Sequence, residues 1–265
     1  MSTGWLTVPS WASGRRQART VLAVLRSLLD LVLPATCAGC GAAETSWCVA
    51  CARSLHGPAR RTAPDPCPPD LPPTWAVTTY AGAVRAAVVA HKEHGVLALA
   101  SPLGTALALS VRAAVGALGG GWARGGVLLV PAPSRAAAVR DRGRDPTRDL
   151  AVRAARSLRD AGLPADVVPA LRMARSVRDQ AGLGGLDRAA NLAGAVRLTR
   201  VRPDRWRAAT VLLVDDVVTT GATLAECAVV LRAAGVPVAG AAVVAATARD
   251  HASGRSGLSS ERDRD

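Results

Sequence analysis

The chain has 265 residues, 49% of them apolar, which is enough for one complete hydrophobic core and a small appendage. Its 33 basic and 20 acidic residues give a formal net charge of +13, a balance that ordinarily indicates a polyanionic partner. All the basic residues except Lys92 are arginine, however, and scattered arginine usually forms a solvated face. With six Trp, one Tyr and no Phe, the stacking platforms of single-strand binders must be few.

Composition divides the chain into five segments. We predict a disordered basic leader at 1–19, a helix with a cysteine cluster at 20–56, a stiff proline-rich linker at 57–74, an α/β domain at 75–248 and a disordered tail at 249–265. The linker contains seven prolines, which are too many for a helix or a central strand.

Neither of two apolar stretches is predicted to cross a membrane. Residues 20–33 follow three arginines, as in a signal peptide, but an arginine and an aspartate interrupt the run, which favours an amphipathic helix. The second stretch, Val96–Val111, falls short of the ~20 residues that span a bilayer. With Ser101 as its N-cap and Pro102 at the first helical position, it is predicted to be a buried helix. We therefore expect a cytoplasmic protein without a transmembrane segment.

Four cysteines form two C-x2-C pairs, Cys37 with Cys40 and Cys48 with Cys51. Each pair lets two thiolates converge on one ion, and four thiolates complete the closed tetrahedron of structural zinc. Disulfides are the alternative, but a reducing cytoplasm would keep them open. We predict that the four cysteines hold a structural Zn²⁺, which stabilises a module too small for a core of its own. Cys67, alone in the linker, is a spare ligand or a free thiol.

The rest of the chain alternates between strand and helix patterns. Short apolar runs predict buried strands, and apolar residues at i, i+3, i+4 and i+7 predict helices. In chain order the predicted elements are a strand at Val127–Val130, a helix from Asp145-Pro146 to Gly162, a strand at Thr210–Val214, a helix bearing Leu224, Cys227, Ala228 and Leu231 that ends at Gly235, and a strand at Val236–Ala246. This order predicts an α/β fold with a mainly parallel twisted sheet flanked by helices.

The loop after the strand at Thr210–Val214 is the strongest candidate site. Asp215 and Asp216 follow a buried strand at the edge where open α/β sheets bind ligands, and a small, hydroxyl-rich turn then leads into a helix. A helix N-terminus favours a phosphate, and adjacent carboxylates can accept hydrogen bonds from the diol of a ribose. The spacing therefore predicts a site for ribose 5-phosphate. The alternative is that the aspartates cap the helix and the threonines satisfy the turn.

The string from Val211 to Thr223 resembles the phosphoribosyl pyrophosphate motif of type I phosphoribosyltransferases, in which two acidic residues follow an apolar strand and precede Thr-Thr-Gly-x-Thr. Other motifs resemble the ComF competence family in order and spacing: Tyr80 to Arg85, His91-Lys92, Val130 to Ser134, Arg142-Gly143, Gln180, Leu183, Arg188, Asn191 and the four-cysteine cluster. The resemblance implies a type I phosphoribosyltransferase fold with a small N-terminal zinc-binding module. One departure is Arg144-Asp145, where ComF-like chains usually continue with an aromatic residue and an Asn-Gln pair.

The resemblance also implies roles for individual residues. Asp215 and Asp216 would be the catalytic pair that binds the ribose hydroxyls. The 5-phosphate would lie against Val218, Thr219, Thr220, Gly221, Ala222 and Thr223, and the pyrophosphate against the backbone donors of Ala132, Ser134 and Arg135. A mobile loop from Arg172 to Asn191 would close over the ligand, with Arg175, Arg178, Gln180 and Arg188 as candidate contacts. Mg²⁺ would accompany the phosphoribosyl pyrophosphate.

Two functions are compatible with these features. The first is an enzyme that transfers phosphoribosyl to an acceptor, which the sequence does not specify. The second, implied by the ComF resemblance, is an accessory role in the uptake of single-stranded DNA during natural transformation, with ligand binding but no turnover and with competence machinery such as a DNA-uptake helicase as partner. The positive charge is compatible with the second function, and the scarcity of aromatic residues argues mildly against it.

Overall fold

The computed structural model describes residues 35–119, 125–134, 139, 143–174, 194–199, 206 and 208–247. The predicted leader at 1–19, the helix expected within 20–33 and the tail at 249–265 lie outside these residues. The described part is a mixed α/β protein in which helices flank a mostly parallel central sheet. A four-cysteine cluster lies near the N-terminal end of this part.

Eight strands are described, six of them in the central sheet. They are β1 (Arg60–Thr62), β2 (Thr74–Thr79), β3 (Val127–Pro131), β4 (Ala165–Val167), β5 (Leu171–Met173), β6 (Val196–Leu198), β7 (Thr210–Val218) and β8 (Val238–Ala246). The central sheet has the order β1-β2-β8-β7-β3-β4, and its neighbours are parallel except for the antiparallel pair β1 and β2. Strands β5 and β6 form a separate antiparallel pair. The predicted parallel sheet is therefore confirmed in the described part of the chain.

Five α-helices are described, the first in the cysteine module and the other four on the two faces of the central sheet. They are α1 (Val49–Ala52), α2 (Gly82–Lys92), α3 (Ala100–Gly116), α4 (Pro146–Asp160) and α5 (Ala222–Ala233). Helix α4 begins as predicted, because the Asp145 side chain accepts a hydrogen bond from the Arg148 N–H and Pro146 occupies the first turn. The predicted apolar stripe of α5 is also confirmed, since these residues are fully buried: Leu224, Cys227, Ala228 and Leu231.

The start of α3 differs from the prediction. A short 3-10 turn at Leu97–Leu99 runs directly into α3, and Leu99 occupies the N-cap position predicted for Ser101. Ser101 is instead an exposed residue of the first turn. Pro102 is tolerated there because the first N–H groups of a helix have no partner within it.

The proline-rich segment is also more ordered than a linker. Its residues Arg60–Thr62 form the edge strand β1, in register with Thr74–Ala76 of β2. Leu71 packs against the core on the α5 face of the sheet. Proline is tolerated around an edge strand because one row of N–H groups there needs no partner in the sheet. The segment predicted as a spacer is thus part of the α/β domain.

The hydrophobic core lies on both faces of the sheet. On one face, α2, α3 and α4 pack over residues that include Leu212 and Val214 of β7. On the other face, α5 packs over Val211 and Leu213. Leu55, which follows the cysteine cluster, belongs to the first core and is 1% exposed. The cysteine module therefore shares the core of the α/β domain instead of standing apart from it.

Helix α3 and the turn before it are apolar enough to pass for a membrane span. The stretch Leu97–Gly116 has 20 residues, and 61% of its most apolar window is buried inside the structure. The Ser110 hydroxyl donates a hydrogen bond of 2.7 Å to the Val243 carbonyl of β8, and both are buried. Packing on the sheet accounts for the apolar composition of this helix, as expected for the core helix of an α/β fold.

Candidate functional site

The two adjacent aspartates lie near the carboxyl end of β7, which is longer than predicted. The strand continues through both of them to Val218. Because side chains alternate along a strand, Asp216 projects from the face that carries Leu212 and Val214, whereas Asp215 projects from the opposite face. The two adjacent carboxyl groups therefore leave the end of the strand on opposite faces of the sheet.

Asp216 forms an ion pair that joins β7 to α2. The ammonium Nζ of Lys92, the last residue of α2, donates a hydrogen bond of 2.6 Å to Asp216 Oδ2. The other carboxylate oxygen, Oδ1, accepts the Val217 N–H at 2.8 Å. The Asp216 side chain is 7% exposed and that of Lys92 37% exposed. The pair thus lies at the boundary between the core and the solvent.

Burial and the charges of neighbouring groups shift the pKa values of Asp215 and Lys92. Burial and the charge of Asp216 raise the pKa of Asp215 to about 8, although Lys92 and the Asp216 N–H lower it. Burial disfavours the charged form of Lys92, but Asp216 and Asp215 together raise its pKa above the usual value. At neutral pH the lysine is charged and Asp215 is mostly protonated. Asp215 can then donate a hydrogen bond as well as accept one.

Arg144 fixes the end of α2 that carries Lys92. Its guanidinium donates to the carbonyl of His91 and forms an ion pair of 2.7 Å with Asp149 in the first turn of α4. His91 itself is 1% exposed, and burial and the nearby Arg144 lower its pKa. The residue that departs from the ComF pattern therefore has a structural role, because it ties α2 to α4. His91 is a core residue.

The turn between β7 and α5 requires glycine at position 221. Gly221 has φ of +72° at the N-cap of α5, in the left-handed region that favours glycine. A Cβ on this residue would lie 3.0 Å from Leu71 Cδ2 and 3.2 Å from Pro64 Cγ. The proline-rich segment thus covers this side of the turn. Thr220 Oγ1 accepts the Ala222 N–H at 3.4 Å, so one of the threonines does satisfy the turn, as the alternative interpretation expected.

A cavity of about 340 Å³ opens beside the end of β7. Its polar wall combines residues of the β7–α5 turn with the end of α2: Asp215, Asp216, Thr219, Thr223, Lys92 and Glu93. Its apolar wall consists of Tyr80, Val88, Val89 and Val217. The cavity therefore brings together both aspartates and two of the predicted threonines. The other residues predicted around the 5-phosphate are near in sequence but do not line it: Val218, Thr220, Gly221 and Ala222.

The predicted pyrophosphate donors fit less well. The Ala132 N–H donates to the Val214 carbonyl at 2.8 Å and extends the pairing of β3 with β7, so it is not free for a ligand. The assignment of Ala132 to the pyrophosphate therefore stays a prediction, and the strand pairing of its N–H does not favour it. The Ser134 hydroxyl donates to Asp145 Oδ1 at 3.0 Å. Arg135 and the four loop candidates lie outside the described residues: Arg175, Arg178, Gln180 and Arg188.

The four predicted cysteines converge as a metal site requires. The Sγ atoms of Cys37, Cys40, Cys48 and Cys51 all lie within 4.8 Å of one another, and those of Cys40 and Cys48 are 3.6 Å apart. Four thiolates around zinc at ~2.3 Å would be separated by about 3.8 Å, so the group fits this ion. A Cβ on Gly39 would lie only 2.7 Å from Cys51 Sγ, and glycine is therefore needed between the first two cysteines.

The backbone around the cysteines already favours one thiolate. Burial would raise the pKa of Cys37, but hydrogen bonds from backbone groups of Cys48, Cys40 and Gly39 outweigh it and lower the pKa to about 6. Burial raises the pKa of Cys51 to about 12, with the other three thiols as further causes. A bound cation would resolve this conflict, because it stabilises all four thiolates at once. These four cysteines could hold a metal ion such as zinc.

Sequence reasoning named Lys92 only within the ComF-like pair His91-Lys92, near the cleft by analogy, and gave it no role. Its partner Asp216 is distant in sequence, so no local pattern joins them, and only the packing of α2 on the sheet does. One signal was available, because Lys92 is the only lysine in a chain whose other basic residues are all arginine.

Comparison with known proteins gives no further assignment: no family model matches this sequence, and no curated protein matches it.

Proposed function

We propose that this protein binds phosphoribosyl pyrophosphate together with Mg²⁺ and transfers the phosphoribosyl group to an acceptor nucleophile. The observation that carries the proposal is the shared cavity of Asp215, Asp216, Thr219 and Thr223, at the sheet edge where parallel α/β proteins bind ligands. The resemblance of the same residues to the phosphoribosyl pyrophosphate motif supports it.

The polar wall of the cavity suits the two ends of such a ligand. Asp216 and Asp215 can accept hydrogen bonds from the ribose hydroxyls, as carboxyl oxygens do. Thr219 and Thr223 offer hydroxyl donors to the 5-phosphate, beside the positive end of the α5 dipole. A volume of about 340 Å³ falls within the range of small-molecule sites.

The transfer balances as a simple substitution. The acceptor's lone pair forms a bond to C1 of the ribose while the bond from C1 to the pyrophosphate oxygen breaks, and its electron pair leaves with pyrophosphate. The acceptor loses its proton to solvent. Mg²⁺ bound to the pyrophosphate would neutralise the leaving charge. The protein then contributes mainly orientation of the ribose and stabilisation of charge.

The four-cysteine site has a structural role in this proposal. Zn²⁺ held by Cys37, Cys40, Cys48 and Cys51 would have no open coordination position, as is typical of structural zinc. Gly39 also lies against Ala83 of α2, where a Cβ would be 2.9 Å from the Ala83 Cβ. The ion would therefore fix the packing of the cysteine module on the helix that carries Lys92.

A second candidate function is the accessory role in DNA uptake, and the formal net charge of +13 favours it. In that case the pocket binds the same ligand without turnover. The test between the two is a screen of nitrogenous bases and other nucleophiles with phosphoribosyl pyrophosphate and Mg²⁺, in which release of pyrophosphate is measured. The transferase proposal expects acceptor-dependent release that the Asp215→Ala/Asp216→Ala variant lacks. Binding without release for every acceptor would favour the accessory role.

A further inference from the structure

The cavity has an unusual balance of charge for the ligand proposed above. Three carboxyl groups line it, those of Glu93, Asp215 and Asp216. The raised pKa of Asp215 favours its neutral form, but phosphoribosyl pyrophosphate is itself a polyanion. Lys92 is the one cation among the described residues of the lining. A phosphorylated ligand therefore meets repulsion that this lysine is positioned to relieve.

The position of Lys92 gives it access to both partners. Its Nζ is bonded to Asp216, whose side chain is nearly buried, yet 37% of the lysine side chain remains exposed, and Lys92 lines the cavity. An ammonium has three donors, so the bond to one carboxylate oxygen leaves capacity for a second oxygen. The flexible stem of lysine also allows the charge to move by the few ångströms between neighbouring acceptors.

The choice of lysine is itself informative. Every other basic residue of the chain is arginine, including Arg144, which holds the neighbouring His91 carbonyl. A planar guanidinium would favour a fixed, bidentate bond to Asp216, whereas an ammonium is a compact charge with no preferred plane. At this position the sequence departs from its strong bias toward arginine, and it does so where a charge that can change partners would be useful.

We propose that Lys92 is a ligand-binding residue that changes partner: it pairs with Asp216 as described, and it bonds to an anionic oxygen of the sugar phosphate when the ribose hydroxyls bind to Asp216. This inference rests on the proposed function. Before ligand binding, Lys92 balances the charge of the Asp216 carboxylate. After binding, the carboxylate accepts hydrogen bonds from the ribose hydroxyls, and Lys92 forms its ion pair with the phosphate instead. No bond is made or broken covalently in this exchange.

The single lysine allows a direct test. Incorporation of lysine that carries ¹⁵N at Nζ labels Lys92 alone and keeps its three N–H donors, and the Nζ resonance is identified by its loss in Lys92→Met. We expect this resonance to shift during titration with phosphoribosyl pyrophosphate and Mg²⁺, in parallel with binding measured by calorimetry. Asp216→Asn should shift it without any ligand. A resonance that stays constant while calorimetry records saturation would overturn the inference and leave the proposed function intact.

Variants give a second readout on unlabelled protein. Lys92→Met should weaken ligand binding roughly 10-fold or more, the effect of losing a charged hydrogen bond. Lys92→Arg restores the charge but should recover only part of that loss, because a guanidinium favours a fixed, bidentate bond to Asp216. The matched control is Arg112→Met, which removes one exposed positive charge from α3 outside the cavity and should leave affinity unchanged. If Lys92→Met and Arg112→Met bind the ligand with equal affinity, Lys92 forms only a structural ion pair with Asp216 and the inference is wrong.

Different experimental results would contradict the proposed function and the inference about Lys92. If wild-type protein shows no heat and no thermal shift with phosphoribosyl pyrophosphate and Mg²⁺, the proposed function fails and this inference fails with it. If wild type binds but Lys92→Met binds equally well, only the inference about Lys92 fails. Because Lys92→Met leaves a nearly buried carboxylate unpaired, its folding has to be verified. Circular dichroism of the variant provides this control.

Discussion

Gly221 and Leu71 connect the turn between β7 and α5 to the proline-rich segment. A Cβ on Gly221 would lie 3.0 Å from Leu71 Cδ2, tighter than nine in ten real contacts of this kind. The segment that resembles a linker in sequence therefore supports the start of α5, and Arg232 of α5 reinforces the contact by donating to the Asp70 carbonyl at 3.2 Å. Geometry at the candidate phosphate turn depends on residues well outside the motif.

This contact predicts that Gly221→Ala destabilises the protein by about 2–3 kcal/mol, through left-handed backbone strain and overlap with Leu71. Denaturant unfolding measures the change. Gly235→Ala is a matched control, because Gly235 has φ of +75° but nothing within 4 Å of its Cβ position, and it should lose only about 1 kcal/mol. Similar losses for the two variants would contradict the role of Leu71. Adding Leu71→Ala to Gly221→Ala should recover part of the difference.

The cysteine site predicts about one zinc ion per chain in purified protein. Cys40→Ser should remove it and lower the thermal midpoint of the protein, because Cys40 is exposed and its loss would open the tetrahedron without disturbing the core. Elemental analysis measures the metal. Cys67→Ser, at an exposed cysteine outside the cluster, should retain the ion. Absence of zinc above background in the wild type would refute the assignment.

The raised pKa of Asp215 predicts a specific dependence of stability on pH. Burial and Asp216 raise this pKa to about 8, compared with ~3.9 for an unfolded aspartate. The folded state therefore holds a proton that the unfolded state releases, and this residue makes the free energy of unfolding fall as pH rises from about 4 to about 8, by at most ~1.4 kcal/mol per pH unit.

Asp215→Asn removes that dependence. Its stability relative to wild type should increase from pH 5 to pH 8 and then level off, as measured by urea unfolding at several pH values. Asp160→Asn, at the exposed end of α4, controls for the loss of a carboxylate in general. A difference between Asp215→Asn and wild type that is constant across this range would show that Asp215 is not protonated in the folded state.

The diffuse positive charge predicts weak binding of single-stranded DNA at a surface separate from the cavity. Affinity should fall steeply with salt, as counterion release requires, and should not depend on sequence. Asp215→Ala/Asp216→Ala should leave DNA binding unchanged, because those carboxylates would repel a phosphate backbone. Fluorescence anisotropy with a labelled oligonucleotide measures this. Competition by saturating phosphoribosyl pyrophosphate at fixed salt and Mg²⁺ would instead indicate that DNA enters the cavity itself.

Local chemistry explains which parts of the structure were predictable. The cap at Asp145, the stripe on α5, the buried strands and the cysteine spacing each depend on residues close in sequence, and all four are confirmed. The start of α3 was misplaced because a 3-10 turn can extend a helix backward past a good N-cap residue such as Ser101.

The features of the site that the sequence does not indicate come from tertiary pairing. The Ala132 N–H was expected to face a ligand, but it donates to the carbonyl of Val214 on the neighbouring strand β7. The extension of β7 beyond Val214 places Asp215 and Asp216 on opposite faces, which no motif in the sequence indicates. The contacts of Lys92 with Asp216 and of Leu71 with Gly221 join distant segments, so they emerge only from the packed structure.

The central claim is that the cavity at the end of β7 binds phosphoribosyl pyrophosphate. Isothermal titration calorimetry with this ligand and Mg²⁺ tests it most directly, on wild type and on Asp215→Ala/Asp216→Ala, with circular dichroism to establish that both are folded. The account predicts saturable binding by wild type and at least a 100-fold loss in the double variant, about 2.7 kcal/mol or more. Equal binding by the two proteins would place the ligand elsewhere and contradict the account.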